Sequence, residues 1–222
     1  MKIGLVYAMT GEIESLLTQE NAQPLQTVAG VPFYQIRPDV IACAGGVSKV
    51  NAAMATQLLI SLYQPDLVLN AGVAGCFENM PIGSIVLAEG FLQHDVDTST
   101  LGDRVGLVST VNRVQFPTSD LDRARAAMDR VGVPYRTGWV ATGDWFATDT
   151  PRAHWIADTF HPLLCDMEGC ADAQVCLRNN VPFMSIKSVS DCLFEHHDFV
   201  FNFPTAMRDL NRVVMALSLI HI

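Results

Sequence analysis

The stretch from residue 163 to residue 191 limits the fold more than any other, because it reads as strand, helix and strand with a carboxylate near each junction. Leu163-Leu164-Cys165-Asp166-Met167-Glu168 is a short apolar run ending in acid. From Gly169 the spacing turns helical, with Ala171, Val175 and Cys176 on one face. Asn179-Asn180 ends that helix ahead of Val181-Pro182. Residues 183–189 read as a mostly buried strand, and Ser190 and Asp191 stand at its end. Such a unit belongs to an α/β sheet, in which ligands sit just beyond the carboxyl ends of strands. Glu168 and Asp191 are therefore placed to face a substrate. The alternative is that Glu168 caps a helix and Asp191 begins a turn.

The same alternation runs through the rest of the chain. Residues 2–8 read as a buried strand, and Met9-Thr10-Gly11-Glu12 leads into the helical pattern Ile13, Leu16, Leu17. Glu12 is thus a third acid at a strand-to-helix junction, where it also suits the positive end of the helix dipole. Strands over 33–36 and 40–43 precede Ala44-Gly45-Gly46-Val47-Ser48-Lys49, a turn into a helix carrying Ala52, Ala55, Leu58 and Leu59. That turn lacks the G-x-G-x-x-G spacing, and no acid ends the strand 66–69, so it is not read as a dinucleotide site. Residues 67–75 form a buried strand ending in small residues, which fits a tight turn or the close approach of a ligand.

A strand over 84–88 leads to His94-Asp95-Val96-Asp97, which strand alternation would split between two faces; no metal site is expected there. Residues 99–117 are rich in turn formers and read as a loop that covers something. Residues 120–131 read as a charged surface helix with Leu121, Ala124 and Met128 inward. A strand over 140–147 carries Trp145 and Phe146 at its end. Taken alone these are core aromatics, although Phe146 could stack on a planar ligand. Glu195-His196-His197-Asp198 lacks the histidine spacing of a zinc site and reads as a polar loop before a final helix with an apolar face.

With 222 residues, half of them hydrophobic, the chain suits one domain over 1–222. A net charge of -9 argues against unaided binding to nucleic acid or anionic membrane and directs attention to small molecules. The first residues lack the apolar run of a signal peptide, and no run approaches a membrane span. Six cysteines in mostly apolar segments suit reduced thiols in a cytoplasmic protein.

Several short motifs carry a resemblance in their order and spacing. They are Met1-Lys2-Ile3-Gly4 with Ala8-Met9 and Glu12, Gly46-Val47-Ser48-Lys49-Val50, and Pro65-Asp66-Leu67-Val68 with Asn70-Ala71-Gly72. Gly143-Asp144 with Phe146, Met167-Glu168 and Val189-Ser190-Asp191 complete the set. Over nearly its whole length the chain resembles the methylthioadenosine/S-adenosylhomocysteine nucleosidases of the nucleoside phosphorylase superfamily. The resemblance implies a three-layer α/β/α sandwich with a twisted mixed central sheet, nucleoside phosphorylase-like, and a homodimer without cofactor that serves methionine salvage. It implies hydrolysis of the N-glycosidic bond of 5′-methylthioadenosine and S-adenosylhomocysteine, with 5′-deoxyadenosine as a further candidate, to adenine and the 5-substituted ribose. The alternatives are a purine nucleoside phosphorylase and a non-catalytic module that binds adenine nucleosides.

Carried over by position, the resemblance gives Glu12 the activation of water, Glu168 the ribose hydroxyls, and Asp191 the protonation of adenine N7 with Ser190 beside it. Met167 would lie against the sugar, Phe146 would stack on adenine, and the Ala147 backbone would bond the base edge. Met9, Val47 and Phe201 would line the pocket for the 5′ substituent. Two positions depart from the family pattern: Val73 stands where many relatives have Ser, and Lys187 where they have Arg. Lys187 is a point charge without the fork of Arg, so water and ribose contacts around it are expected to differ. Asn70 and Val73 also stand where phosphorylases of the superfamily place phosphate-binding Arg and Ser, which implies water as the nucleophile.

Overall fold

The computed structural model describes residues 1–195 and 199–219, without the side chains of residues 199–201, 218 and 219. The expected polar loop at residues 196–198 lies outside the described residues. The chain begins β1 (Ile3–Tyr7), α1 (Thr10–Gln19), β2 (Gln23–Val28), β3 (Val31–Arg37), β4 (Val40–Ala44), α2 (Lys49–Tyr63), β5 (Leu67–Cys76) and β6 (Ile85–Gln93). It continues β7 (Gln115–Pro117), α3 (Leu121–Val131), β8 (Tyr135–Thr142), α4 (Pro151–Phe160), β9 (Leu164–Asp166), α5 (Gly169–Asn179), β10 (Phe183–Cys192) and α6 (Phe199–Leu219).

The strands join in one mixed sheet. β1, β4, β5 and β10 run parallel, so their carboxyl ends meet on one side. β3 and β2 extend the edge beyond β4 as antiparallel strands. Ala29 (φ 51°) and Gly30 (φ 80°) make the two-residue turn between them, in the left-handed conformation that matches strand twist. Part of the sheet closes on itself, a feature beyond the expected twisted sheet: β5 pairs β10, β10 pairs β6, β6 pairs β8, β8 pairs β9, and β9 returns to β5. On that side β5 carries β1 along Leu67–Asn70 and β9 only at Gly75 and Cys76. Residues 71–74 therefore have no strand partner there among the described residues, and the sheet is parted at this point.

Helices cover both faces. Ile13 and Leu16 of α1, Ala124, Ala127 and Met128 of α3, and Leu210, Val213 and Val214 of α6 pack one side of the sheet. Ala55 and Leu59 of α2 with Cys170, Ala173 and Cys176 of α5 pack the other. This is the three-layer arrangement expected. Three boundaries differ from the sequence reading. β6 runs on to Gln93 and puts His94 at its end; β8 stops at Thr142, leaving Trp145 and Phe146 in the loop that follows; and residues 99–117 contain two 3₁₀ turns and β7. β2 and α4 are additional elements.

Candidate active site

The parted edge of β5 opens a cavity lined by the ends of β1, β5, β9 and β10 and by the loops after β4 and β8. Its walls include Met9, Glu12, Val47, Val73, Trp145, Phe146, Ala147, Asp166, Met167, Glu168, Ser190 and Asp191. Nine of the sequence candidates thus meet in one place.

Glu12 sits in the first turn of α1, where the helix leaves backbone N–H groups unpaired and favours an anion. Its Oε2 accepts from the N–H groups of Ala8 (3.1 Å) and Met9 (2.9 Å), and its Oε1 from Val73 N–H (2.9 Å), a donor freed by the parting of the sheet. The side chain is 2% exposed. Burial raises its proton affinity above the ordinary carboxylate value, against the lowering effect of the three N–H groups and Lys187. A carboxylate fixed in this way and able to hold a proton can serve as a general base.

Glu168 is the residue preceding α5, but its side chain does not cap that helix. Its Oε1 accepts instead from Ser48 N–H at 3.0 Å. Burial, and next the charge of Asp166, push its carboxyl up to about 8. Ser48 holds φ 99° and ψ 156°, a conformation that favours glycine, and stores strain beside the site. Asp191 lies in β10 just past a bulge: pairing with β5 slips between Val189 and Asp191, which re-aims the side chains at this point. Ser190 Oγ lies 2.7 Å from Asp191 Oδ1 and 3.3 Å from Ala74 O, tying the acid to β5.

Lys187 is placed differently from the rest. It is 2% exposed, does not line the cavity, and its Nζ lies 2.8 Å from Asp166 Oδ2. Burial lowers its proton affinity, but Asp166, Glu168 and Glu12 reverse this and the net direction is upward. The Phe201 side chain lies outside the described residues. Two wall residues, Asp166 and Trp145, carried no assigned role in the sequence reading. The signal for Asp166 was Lys187 itself, since a cation inside an apolar strand needs a carboxylate partner. Asn70 is also drawn away from the cavity: it donates to Asp172 Oδ2 (2.9 Å) and accepts from Ser185 Oγ (2.7 Å). No Lys, Arg or His lines the cavity among the described residues.

The acids come from α1, the junction of β9 with α5, and β10, and the rest of the lining is mostly apolar, an arrangement suited to acid and base work on a neutral, ring-bearing ligand. Among known proteins, the profile of the phosphorylase superfamily matches residues 2–218. A 5′-methylthioadenosine/S-adenosylhomocysteine nucleosidase of Shewanella loihica is 37% identical over 198 residues, 86% of each chain. A nucleosidase of the same name from Colwellia psychrerythraea, solved in complex with adenine, superimposes with a TM-score of 0.87 at 30% identity, covering 98% of this chain and 94% of that one. The futalosine hydrolase of Helicobacter pylori shares the fold, with a TM-score of 0.90 at 23% identity over 98% and 97% of the two chains.

Proposed function

Since the chain belongs to the phosphorylase superfamily and, within it, to the 5′-methylthioadenosine/S-adenosylhomocysteine nucleosidases, we propose that it hydrolyses the N-glycosidic bond of 5′-thioadenosines. Water adds to C1′ of the sugar, the bond to N9 breaks, and the products are adenine and the 5-thioribose derivative. Breaking this bond builds positive charge on the sugar, so the reaction gains from a protonated leaving base on one side and an activated water on the other. Glu12 takes the proton from water. Asp191, aligned by Ser190, supplies the proton to N7 of the departing base. Glu168 accepts from the ribose hydroxyls while Ser48 N–H holds its other lobe, and Met167 lies beneath the sugar. Phe146 stacks on adenine, the Ala147 backbone meets the base edge, and Met9 and Val47 face the 5′ substituent. Lys187, outside the cavity lining, acts through Asp166 and through its field on Glu12 and Glu168.

The observation that carries this reading over a phosphorylase is a cavity walled by acids with no cation among its described residues. A phosphate dianion requires charge-assisted donors. Asn70 and Val73 offer none, since Asn70 is committed to Asp172 and Ser185, and Val73 N–H to Glu12. Product analysis of methylthioadenosine turnover with and without millimolar phosphate tests the point. Adenine and methylthioribose form equally in both; a ribose-1-phosphate product would move the protein to the phosphorylases. Asp191→Asn is expected to lower kcat by about 10²–10⁴-fold, the range of general acid catalysis. Adenine nucleoside that binds tightly and is recovered intact would favour the non-catalytic module.

A homodimer and a cytoplasmic location belong to the same proposal. Val47 and Phe146 at the cavity are 40% and 53% exposed, and Val50, one residue into α2, is 75% exposed. This apolar rim suits cover by a second copy. A monomer by light scattering at micromolar concentration with full activity would sink the dimer. The six cysteines are free and buried, which suits a reducing compartment.

A further inference from the structure

Three sequence motifs without a role in the chemistry above, Lys49 at the start of α2, Asp95 after β6, and Asp144 after β8, come together beside the cavity. Lys49 Nζ donates to Asp95 Oδ1 at 2.6 Å, Asp144 N–H donates to Asp95 Oδ2 at 3.0 Å, and Lys49 N–H donates to Asp144 Oδ1 at 2.8 Å. The three bonds form a closed ring joining three segments distant in sequence. Gln93 Oε1 accepts from Lys49 Nζ at 3.0 Å and holds the cation from a second side. Lys49 and Asp95 have side chains only 18% exposed, so the pair is partly shielded from solvent and salt.

The ring's place gives it a role. Ser48, the residue before Lys49, donates its N–H to Glu168 Oε1. Asp144 directly precedes Trp145, Phe146 and Ala147 of the cavity wall. The N–H that holds the sugar-side acid and the residues of the base-side wall thus lie on chain segments that share one clasp. Ser48 also keeps its strained backbone between two anchors, Glu168 on its own N–H and the clasp on the next residue; such strain persists where surroundings over-determine it.

We infer that Lys49, Asp95 and Asp144 are positioning residues that set the base-binding loop at a fixed distance from the ribose-binding acid, so that base and sugar are recognised as one unit. The inference rests on the nucleosidase reading for its ligand, but not for the clasp itself. The clasp is complete in the free protein, so its contribution is equal in the bound ground state and the transition state and is read in KM.

The substitutions separate bond from charge. In Asp95→Asn the single amide oxygen can serve Lys49 or the Asp144 N–H, while the amide nitrogen, a donor, faces the other. Asp144→Ala removes the acceptor for Lys49 N–H; Asp144→Asn keeps it. With methylthioadenosine as substrate, Asp95→Asn and Asp144→Ala are expected to raise KM about tenfold with kcat within about twofold, the pattern of lost uniform binding. Asp144→Asn should stay within about twofold of the parent in both constants. In the protein without ligand, amide hydrogen exchange over residues 143–147 should quicken in the first two variants and not in the third. The inference is overturned if Asp144→Ala leaves KM and exchange unchanged, or if Asp144→Asn matches Asp144→Ala in both. Should Asp95→Asn fail to fold, the exposed Asp144 pair still decides. A parent protein that releases no adenine would overturn the nucleosidase reading, and the exchange arm would then judge the clasp alone.

Discussion

At the scale of single residues, the position of Glu12 depends on what is missing opposite it. A Cβ added to Gly72 would stand 2.7 Å from Glu12 Oε1, and that carboxylate cannot swing aside without leaving its three N–H donors. Gly72→Ala is therefore expected to lower kcat about 10²-fold, the cost of roughly 1 Å of misplacement, while far-UV circular dichroism stays unchanged. An alanine variant with parental kcat would show that the carboxylate has room the geometry denies it. Glu12, Glu168 and Asp191 were legible in the sequence because each stands where an apolar period changes, and parallel strands bring such junctions together. The place of Lys187 was not. Its chemistry is set by Asp166, and although a cation in an apolar strand calls for a carboxylate, nothing in the local spacing says which one. Phe146 read as core on its own and is half exposed at the cavity, because β8 ends four residues before it.

At the scale of elements, Lys187 and Asp166 join β10 to β9 across β5, the strand to which both are paired. Asp166 keeps two further partners, with Oδ1 accepting from Thr142 Oγ1 at 2.6 Å and Oδ2 from Gly169 N–H at 3.0 Å. Lys187→Met leaves a buried carboxylate with these neutral donors only. Urea unfolding is expected to show a loss of about 3 kcal/mol, at the low end for breaking a buried pair, and the double variant with Asp166→Asn should recover most of it. Additive losses would mean that the two groups do not interact. β2 and α4 were harder to read for opposite reasons. β2 is an edge strand with its first five residues exposed, so it carries no apolar alternation. The α4 start signals, Thr150 as cap and Pro151 at the first turn, were present, but they follow a loop whose aromatics drew the reading toward a longer strand.

At the scale of the whole molecule, burial raises the proton affinity of Glu12, lifts Glu168 to about 8, and lifts Asp172 to about 7. A carboxyl whose proton affinity is higher folded than unfolded stabilises the native state fully below its unfolded pKa, and that contribution is lost as pH rises through the folded value. The melting temperature of the free protein is thus expected to fall between about pH 5 and pH 8. Glu168→Gln should make that fall shallower, and a parallel curve would remove Glu168 from the account. The closed part of the sheet has a consequence in time. The ring is complete only when β9 and β10 have joined it, and these strands end at Asp166 and Cys192. Contacts between segments so far apart form slowly. During synthesis, Glu12 and the strands around it leave the ribosome long before either strand that closes the ring. An arrested chain ending near residue 160 holds Glu12 and neither Glu168 nor Asp191. On the proposed roles, no adenine is expected to be released until almost all of the protein has been made.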